Sequence, residues 1–315
     1  MAILVTGGAG FIGSHVVDSL LARGDTVICV DDLNNYYSPK QKLDNIKEHK
    51  RSKHYRFYKL DIRDKKKLGA VFRKHKITSI IHLAARAGVR SSLADPKLYI
   101  TTNVLGTLNL LELAKQYKVK NFVYASSSSV YGNCKQVPFT EGMKLDEQIS
   151  PYAASKKAAE NLCYVYSSLY NTPVTCLRFF TVYGPRGRPD MAPYLFLDAV
   201  HNGKPITVFG DGSTSRDYTY IADIVSGVLA SHDSPVRFEV YNLGNNNPVS
   251  LKEFISTVEA VTGKKAIINR KPLQPGDVER TYASIDKAKR ALNYNPRTSL
   301  RKGLQATYDW YRRKE

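Results

Sequence analysis

Short apolar runs alternate with amphipathic stretches through the first half of the chain. Ile3 to Thr6, Thr26 to Val30, Tyr55 to Leu60, Ser79 to Leu83, Phe122 to Ser126 and Val174 to Phe179 are rich in Val, Ile, Phe and Tyr, and they read as strands. From Phe11 to Arg23 the apolar residues Ile12, Val16, Val17, Leu20 and Leu21 recur at helical spacing, and Gly24 stands where a left-handed terminator is expected. Strand then helix, repeated, predicts a parallel sheet. Right-handed crossovers place helices on both faces, so the pattern implies a doubly wound α/β domain with its ligands at the carboxyl ends of the strands.

After Arg178 the rhythm breaks into Pro- and Gly-rich connections, Tyr183-Gly184-Pro185-Arg186-Gly187-Arg188-Pro189 and Phe209-Gly210-Asp211-Gly212, with shorter elements between them. A smaller C-terminal lobe is expected over 179–315. The segment from Tyr220 to Ser231 reads as a helix and Phe238 to Leu243 as a strand, so 219–246 is expected to return to the first domain, 1–178. No repeat with a period of 20 to 50 residues and no low-complexity linker interrupts this organisation.

The 315 residues are 43% hydrophobic and 24% charged, with 21 Tyr and 11 Phe, which excludes wholesale disorder and supplies a substantial core. No run approaches the roughly 18 apolar residues of a membrane span, and Met1 to Gly7 enters a strand without a basic leader, so a cytoplasmic protein with no membrane partner is expected. Cys29, Cys134, Cys163 and Cys176 include no Cys-x-x-Cys pair; they are expected to be reduced thiols, with no metal site. The net charge of +19 raises the question of an anionic polymer. Its basic residues are scattered over Lys47 to Lys53, Arg63 to Lys67, Arg73 to Lys76 and Arg312 to Lys314, not interleaved with aromatics in one recognition element, so a solvated surface is favoured over a nucleic-acid groove.

The first strand runs into Gly7-Gly8-Ala9-Gly10-Phe11-Ile12-Gly13, and Gly8, Gly10 and Gly13 also satisfy G-x-G-x-x-G. Side chains there would keep the backbone from a pyrophosphate and the helix from the sheet, whereas bare amides at the helix start cradle phosphate oxygens. An isolated glycine fingerprint is weak. This one lies between a predicted strand and helix, and an acid, Asp31, closes strand two eighteen residues past Gly13. A carboxylate there accepts both ribose hydroxyls and repels a 2′-phosphate, which favours NAD over NADP; Asp31 is preferred to its neighbour Asp32.

Tyr152 and Lys156 are four residues apart in a helical context, hence on one face. A nearby ammonium favours ionisation of a phenol whose ordinary pKa is about 10, so Tyr152 could exchange a proton with an alcohol. Taken alone, such a spacing is more often an ordinary surface pair. Ser126 to Ser129 end strand five, where their hydroxyls either hold a reacting alcohol or cap a turn.

Gly7 to Gly13, Asp31, His82-Leu83-Ala84-Ala85, Asn103, Ser127 and Tyr152-x-x-x-Lys156 resemble the extended short-chain dehydrogenase/reductase family over essentially the whole chain. The resemblance implies a Rossmann domain with a sugar-nucleotide-binding lobe, Tyr152, Lys156 and Ser127 as the catalytic group, and NAD held by Gly7, Gly10, Phe11, Ile12, Gly13 and Asp31. It further implies that Asp61 and Ile62 contact adenine, that Leu83, Ala84 and Ala85 line the cofactor and that Asn103 lies near the nicotinamide. More narrowly, the run from Arg178 through Pro185-Arg186-Gly187-Arg188-Pro189-Asp190-Met191-Ala192 is similar to the signature of UDP-glucuronate 4-epimerases, although Arg186 stands where that group usually has an aromatic residue. By that similarity Phe209 would stack on uracil, Arg216 would pair with the diphosphate and Asp277 would hold the uridine ribose. Arg188 and Thr181, with Ser128 and Ser129, would receive a sugar carboxylate. The helices around Tyr152 to Tyr166 and Thr107 to Gln116 resemble the family's dimer-forming pair, which implies a homodimer.

Oxidation of a sugar carbon by bound NAD+ could begin a dehydrogenation, a 4,6-dehydration, a decarboxylation or an epimerisation. In similar dehydratases and decarboxylases an acidic residue lies just before the Val-Tyr-Gly segment; here Ser128 and Ser129 precede Val130-Tyr131-Gly132. Without that acid, reversible oxidation at C4 is expected, turning UDP-glucuronate into UDP-galacturonate through a 4-keto intermediate. A UDP-glucose or UDP-xylose 4-epimerase, or a UDP-glucuronate decarboxylase, is the alternative.

Overall fold

A computed structural model describes residues 1–272 and 280–314. Its strands are β1 (Ala2–Thr6), β2 (Val27–Asp31), β3 (Tyr55–Lys59), β4 (Ile77–His82), β5 (Asn121–Ser127), β6 (Val174–Phe179), β7 (Thr181–Tyr183), β8 (Pro205–Phe209), β9 (Ser215–Tyr220), β10 (Phe238–Leu243), β11 (Pro248–Ser250) and β12 (Ile267–Lys271). They fall in two compact units, one made of Met1–Cys134, Glu141–Arg178 and Val225–Tyr241, the other of Lys135–Thr140, Phe179–Ile224 and Asn242–Glu315.

The first unit carries a seven-stranded sheet in the order β10-β6-β5-β4-β1-β2-β3. β1 pairs in parallel with β2 and β4, β2 with β3, and β4 with β5. The chain first winds outward from β1 to β3, then crosses to β4 and winds the other way, so strand order reverses between β1 and β4. At such a reversal the two connections diverge and leave a crevice at the carboxyl ends. The expected doubly wound architecture is present, and the return of Phe238–Leu243 to the large sheet is part of it. Strands buried on both sides explain why β1 and β2 are continuous apolar runs rather than alternating ones. Leu4, Ile28, Val30, Ile80, Phe122 and Tyr124 join Leu68, Leu110 and Leu111 from the covering helices in one core.

Local chemistry sets the helix ends. Gly24 adopts φ +82, the left-handed stop expected after the helix Phe11–Ala22. The helix Pro151–Tyr170 starts at Ser150, whose hydroxyl accepts from the Ala153 amide, continues through Pro151 and ends at the left-handed Asn171. A π-helical turn, Ile100–Leu105, precedes the helix Gly106–Gln116; apolar spacing alone does not distinguish it from an α-helix.

The second unit holds a three-stranded sheet, β11-β9-β7, and a two-stranded one, β12-β8. Its core is aromatic, with Tyr183, Phe196, Tyr218, Phe254 and Tyr308 around Leu197, Val258 and Leu304. Tyr218 and Phe254 stack with ring centres 4.5 Å apart. Gly303 lies against the Tyr183 ring, where any Cβ would collide with the phenol, so helix Leu300–Arg312 can approach only through a glycine.

Candidate active site

The glycine loop joins β1 to helix Phe11–Ala22. Gly7 has φ +72 and donates to the Val30 carbonyl at 2.8 Å, and a Cβ on it would come within 2.7 Å of the Ala84 nitrogen at the end of β4. A Cβ on Gly13 would strike the Gly7 carbonyl oxygen. Both glycines therefore permit contacts that a side chain would block. The helix begins at Gly10 without a side-chain cap, which directs its first amides to a ligand or solvent. Phe11 is buried and Ile12 half-buried in its first turn.

Asp31 closes β2 with its carboxylate against this loop, accepting from the Ala9 amide at 3.1 Å and the Leu33 amide at 2.9 Å. Burial pushes its pKa up, while the Leu33 amide and Lys42 pull against that shift. The Asp32 carboxylate is engaged elsewhere, by the Asn34 amide at 3.0 Å and the Arg86 guanidinium at 3.8 Å. Asp61 and Ile62 follow β3. The Asp61 carboxylate is clasped by the Arg63 guanidinium, with Nε 3.0 and 2.9 Å from its two oxygens, and its pKa lies below the usual range; burial opposes that shift and the Arg63 hydrogen bonds produce it. Ile62 is buried, and Asn109 donates to its carbonyl at 3.1 Å.

Beyond β4, Leu83 donates to the Thr6 carbonyl at 3.1 Å, which joins Leu83-Ala84-Ala85 to the end of β1. His82 bridges Thr6, 2.7 Å from Nδ1, to Thr107, 3.0 Å from Nε2. Desolvation, with Lys156 adding to it, pushes the imidazole pKa down to about 3, so the ring is a neutral structural link. Asn103 in the π-turn clamps the next segment: it accepts from the Arg86 amide at 2.8 Å and donates to the Arg86 carbonyl and to Ser155, each at 2.9 Å. Ser155 in turn donates to the Tyr152 carbonyl at 2.8 Å. A single amide side chain thus fixes the chain after β4 to the first turns of the helix that carries Tyr152.

The Tyr152 ring makes an edge contact with Tyr99, centre to centre 6.2 Å. One turn on, Lys156 is buried, donates to the Ala125 carbonyl at 2.7 Å and sits 5.0 Å from the centre of the Tyr124 ring. Burial lowers its pKa to about 8, with Glu160 pulling upward. Ser127 closes β5; its hydroxyl accepts from the Ser129 amide at 3.2 Å and lies 3.1 Å from the Ser129 hydroxyl. It caps the 3-10 turn Ser128–Tyr131, the alternative raised for a serine run, and Ser128 and Ser129 lie in that turn. Beneath these groups is a network that spacing alone did not reveal. Glu160 receives Arg178 through Nε at 2.9 Å and through the terminal nitrogen at 3.0 Å, accepts from Ser126 at 2.6 Å, and Arg178 reaches the Tyr131 hydroxyl at 3.1 Å. The available signal was Glu160 at one further turn past Lys156.

In the second unit Thr181 opens β7, half-buried and paired with Tyr218. Arg188 follows a tight turn in which Gly187 donates to the Gly184 carbonyl and Arg186 takes φ +62. Its guanidinium makes a two-pronged contact with Asp190, at 3.0 and 2.6 Å. Phe209 ends β8 and Arg216 lies in β9, donating to the Ser215 carbonyl at 2.9 Å. Asp277 lies outside the described residues. The structure brings Gly7 to Gly13, Asp31 and Leu83 to Ala85 together at the end of β1, and it joins Asn103 to Tyr152. Among the described residues no group of three or more His, Cys, Asp and Glu could hold a metal ion, and no helix is long and apolar enough to cross a membrane.

The model of the GDP-mannose 4,6-dehydratase family matches residues 4–307. A UDP-glucuronate 4-epimerase of Thermodesulfobacterium geofontis (strain OPF15) is 46% identical over 308 residues, covering 98% of this chain and 95% of its own. The crystal structure of UDP-glucuronic acid 4-epimerase from Bacillus cereus, in complex with UDP-glucuronic acid and NAD, is similar with a TM-score of 0.93 at 38% identity, covering all of both chains. UDP-glucose 4-epimerase from Thermotoga maritima, with UDP-glucose, has a TM-score of 0.92 at 33% identity and covers 100% of this chain and 99% of its own.

Proposed function

The chain belongs to the GDP-mannose 4,6-dehydratase family of extended short-chain dehydrogenases/reductases, and from that membership we propose an NAD-dependent epimerase that interconverts UDP-glucuronate and UDP-galacturonate at C4. The observation that carries the choice of reaction is the end of β5. Ser128 and Ser129 directly precede Val130-Tyr131-Gly132, and neither carries a carboxylic acid for the additional proton transfer of dehydration.

NAD fits the site. The glycine loop leaves backbone where Cβ atoms would intrude, and Asp31 presents a carboxylate beside it for a ribose diol. When bound, NAD+ supplies a reversible two-electron acceptor at the sugar carbon. Tyr152 then takes the proton of the 4-hydroxyl and later returns it. Lys156 keeps positive charge near the phenol, and Ser127 holds the same hydroxyl. Asp61 and Ile62 would border adenine and Leu83 to Ala85 would line the cofactor, while Asn103 holds the backbone of the adjoining Arg86. With NAD+ bound, a 4-ketone turned about the nucleotide linkage would be open to reduction on its other side, and the cofactor would finish unchanged. In the second unit, Phe209 would take uracil, Arg216 the diphosphate and Asp277 the uridine ribose, and Arg188 and Thr181 would satisfy the carboxylate whose burial would otherwise be costly.

A homodimer accompanies this reading. Ile100, Leu105, Tyr164 and Leu169 are large apolar side chains left exposed on the π-turn and on helix Pro151–Tyr170. Burying such a patch against a second copy removes it from water. Light scattering should give twice 35.3 kDa, and a 35.3 kDa species at micromolar concentration would reject the dimer. The four cysteines are free thiols, which suits a cytoplasmic location.

Incubating the protein with UDP-glucuronate and separating the products tests the function. UDP-galacturonate of unchanged mass is expected. Loss of carbon dioxide would instead establish the decarboxylase, and turnover of UDP-glucose with none of UDP-glucuronate would establish the neutral-sugar epimerase.

A further inference from the structure

Helix Pro151–Tyr170 carries Tyr152, Lys156 and Glu160 at successive four-residue steps, hence along one face. The first two belong to the proposed reaction, whereas Glu160 has no part in its chemistry. Its side chain is buried, and one carboxylate oxygen accepts from Arg178 Nε at 2.9 Å and from the Ser126 hydroxyl at 2.6 Å. The other accepts from an Arg178 terminal nitrogen at 3.0 Å, with the Lys157 ammonium 3.8 Å away. A buried ion pair adds little net stability over apolar side chains of the same volume. What it supplies that apolar packing does not is direction, because a two-pronged guanidinium–carboxylate contact has one geometry.

That direction is passed to the end of β5, which is fastened residue by residue. The Ala125 carbonyl accepts from Lys156 at 2.7 Å, the Ser126 hydroxyl donates to Glu160, and the Ser127 hydroxyl accepts from the Ser129 amide at 3.2 Å. Arg178 extends the hold past the strand: its second terminal nitrogen donates to the Tyr131 hydroxyl at 3.1 Å and to the Glu141 carbonyl at 3.4 Å, and its guanidinium lies 5.0 Å from the Tyr131 ring centre. Tyr131 closes the 3-10 turn that Ser127 caps. Ser127 is therefore bracketed, with Ser126 before it and Tyr131 after it tied to one ion pair. Successive side chains of a strand point to opposite faces, so a group that holds Ser126 fixes the backbone of Ser127 and leaves the Ser127 hydroxyl on the other face.

We propose that Glu160, acting with Arg178, is the positioning residue for Ser127, holding the end of β5 and the turn after it in place against the helix that carries Tyr152 and Lys156. Both side chains are buried in the network and act through Ser126 and Tyr131. The proposal rests on the assignment of Ser127 to the reacting hydroxyl, and its effect belongs in the chemical step rather than in binding.

Steady-state kinetics with UDP-glucuronate, calorimetry with NAD and urea unfolding test it on the full-length protein. Glu160→Gln combined with Arg178→Met removes both charges and keeps the volume close; kcat should fall at least about tenfold, with KM within about threefold, NAD affinity unchanged and stability largely retained. Wild-type kcat in that stable double variant would reduce the pair to a brace and overturn the proposal. Added to Ser127→Ala, the same two substitutions should cost less than about twofold more, because they act through the same hydroxyl. Losses that multiply would also overturn it. Should the double variant not fold, Ser126→Ala decides: it deletes one donor to Glu160, leaves the ion pair, and should lower kcat about three- to tenfold at constant KM. An unchanged kcat there would overturn the proposal. If Ser127→Ala alone retains wild-type kcat, the serine assignment fails and takes the proposal with it; if the wild-type protein turns over no UDP-sugar, the UDP-sugar reading itself fails and both fall.

Discussion

The two units bury charge in opposite ways. In the first, the Glu160 carboxylate meets the Arg178 guanidinium in a two-pronged ion pair, and both side chains are 3% exposed. In the second, Asp217 is equally buried but is surrounded by main-chain amides and one hydroxyl. The cost of leaving water is offset by a full opposite charge in one case and by several partial charges in the other. The pair braces helix Pro151–Tyr170 against β5 and β6, regular elements that side chains can lock. The amide-bound anion organises irregular loops, whose backbone groups have no ladder partners and need an acceptor. Each solution matches the kind of structure it supports.

Four experiments would break or sharpen this contrast. The largest effect is chemical and lies in the first unit: Tyr152→Phe should cut kcat by about 10³, within the range for loss of a general acid/base, while UDP and NAD still bind by calorimetry. Turnover close to wild type would remove Tyr152 from the mechanism. Next, Glu160→Gln strands a buried guanidinium and should cost roughly 3 to 5 kcal/mol in urea unfolding, whereas pairing it with Arg178→Met should recover much of that loss. A double variant no better than the single would show that the ion pair is not the unit of stability. In the second unit, Arg188→Ala should reduce kcat/KM for UDP-glucuronate about 10- to 100-fold more than for UDP-glucose. Equal penalties would mean that Arg188 does not recognise the carboxylate; its contact with Asp190 would then be its main role.

The last effect is a pH drift from Asp217. Burial raises its pKa from 3.8 to about 6, so folding favours the protonated acid more than the unfolded chain does. Its contribution to stability is therefore full below pH 3.8 and declines as pH rises through about 6. Chemical unfolding of the wild type should lose about 3 kcal/mol across that window relative to Asp217→Asn, and a constant difference between the two would contradict the linkage.

The fold was legible wherever the determinants were local. Apolar runs marked β1 to β6, Gly24 marked a helix end, and the glycine loop next to Asp31 predicted a dinucleotide crevice that the strand order then located. The π-turn over 100–105 was hidden because its side chains carry the same apolar spacing as the helix that follows. Glu160 with Arg178, and Asn103 with Ser155, were hidden for a different reason: their partners are 18 and 52 residues away, and neither residue type announces a contact of that range. Asp217 was harder still, since its main partners are amides that every residue but proline possesses. In the second unit the motif around Arg188 named candidates, while nothing in the sequence set apart the buried acid beside Arg216.

Ser150 starts the helix that carries Tyr152, which makes the tyrosine its second residue. Long helical side chains lean back toward the amino end, where unsatisfied amides concentrate about half a positive charge. Those peptide dipoles place positive charge at the end of the helix from which Tyr152 would act in the proposed reaction, and no side-chain substitution removes them. An enzyme stripped of Lys156 should for that reason be crippled rather than dead, with a rate that climbs as the medium is made more alkaline.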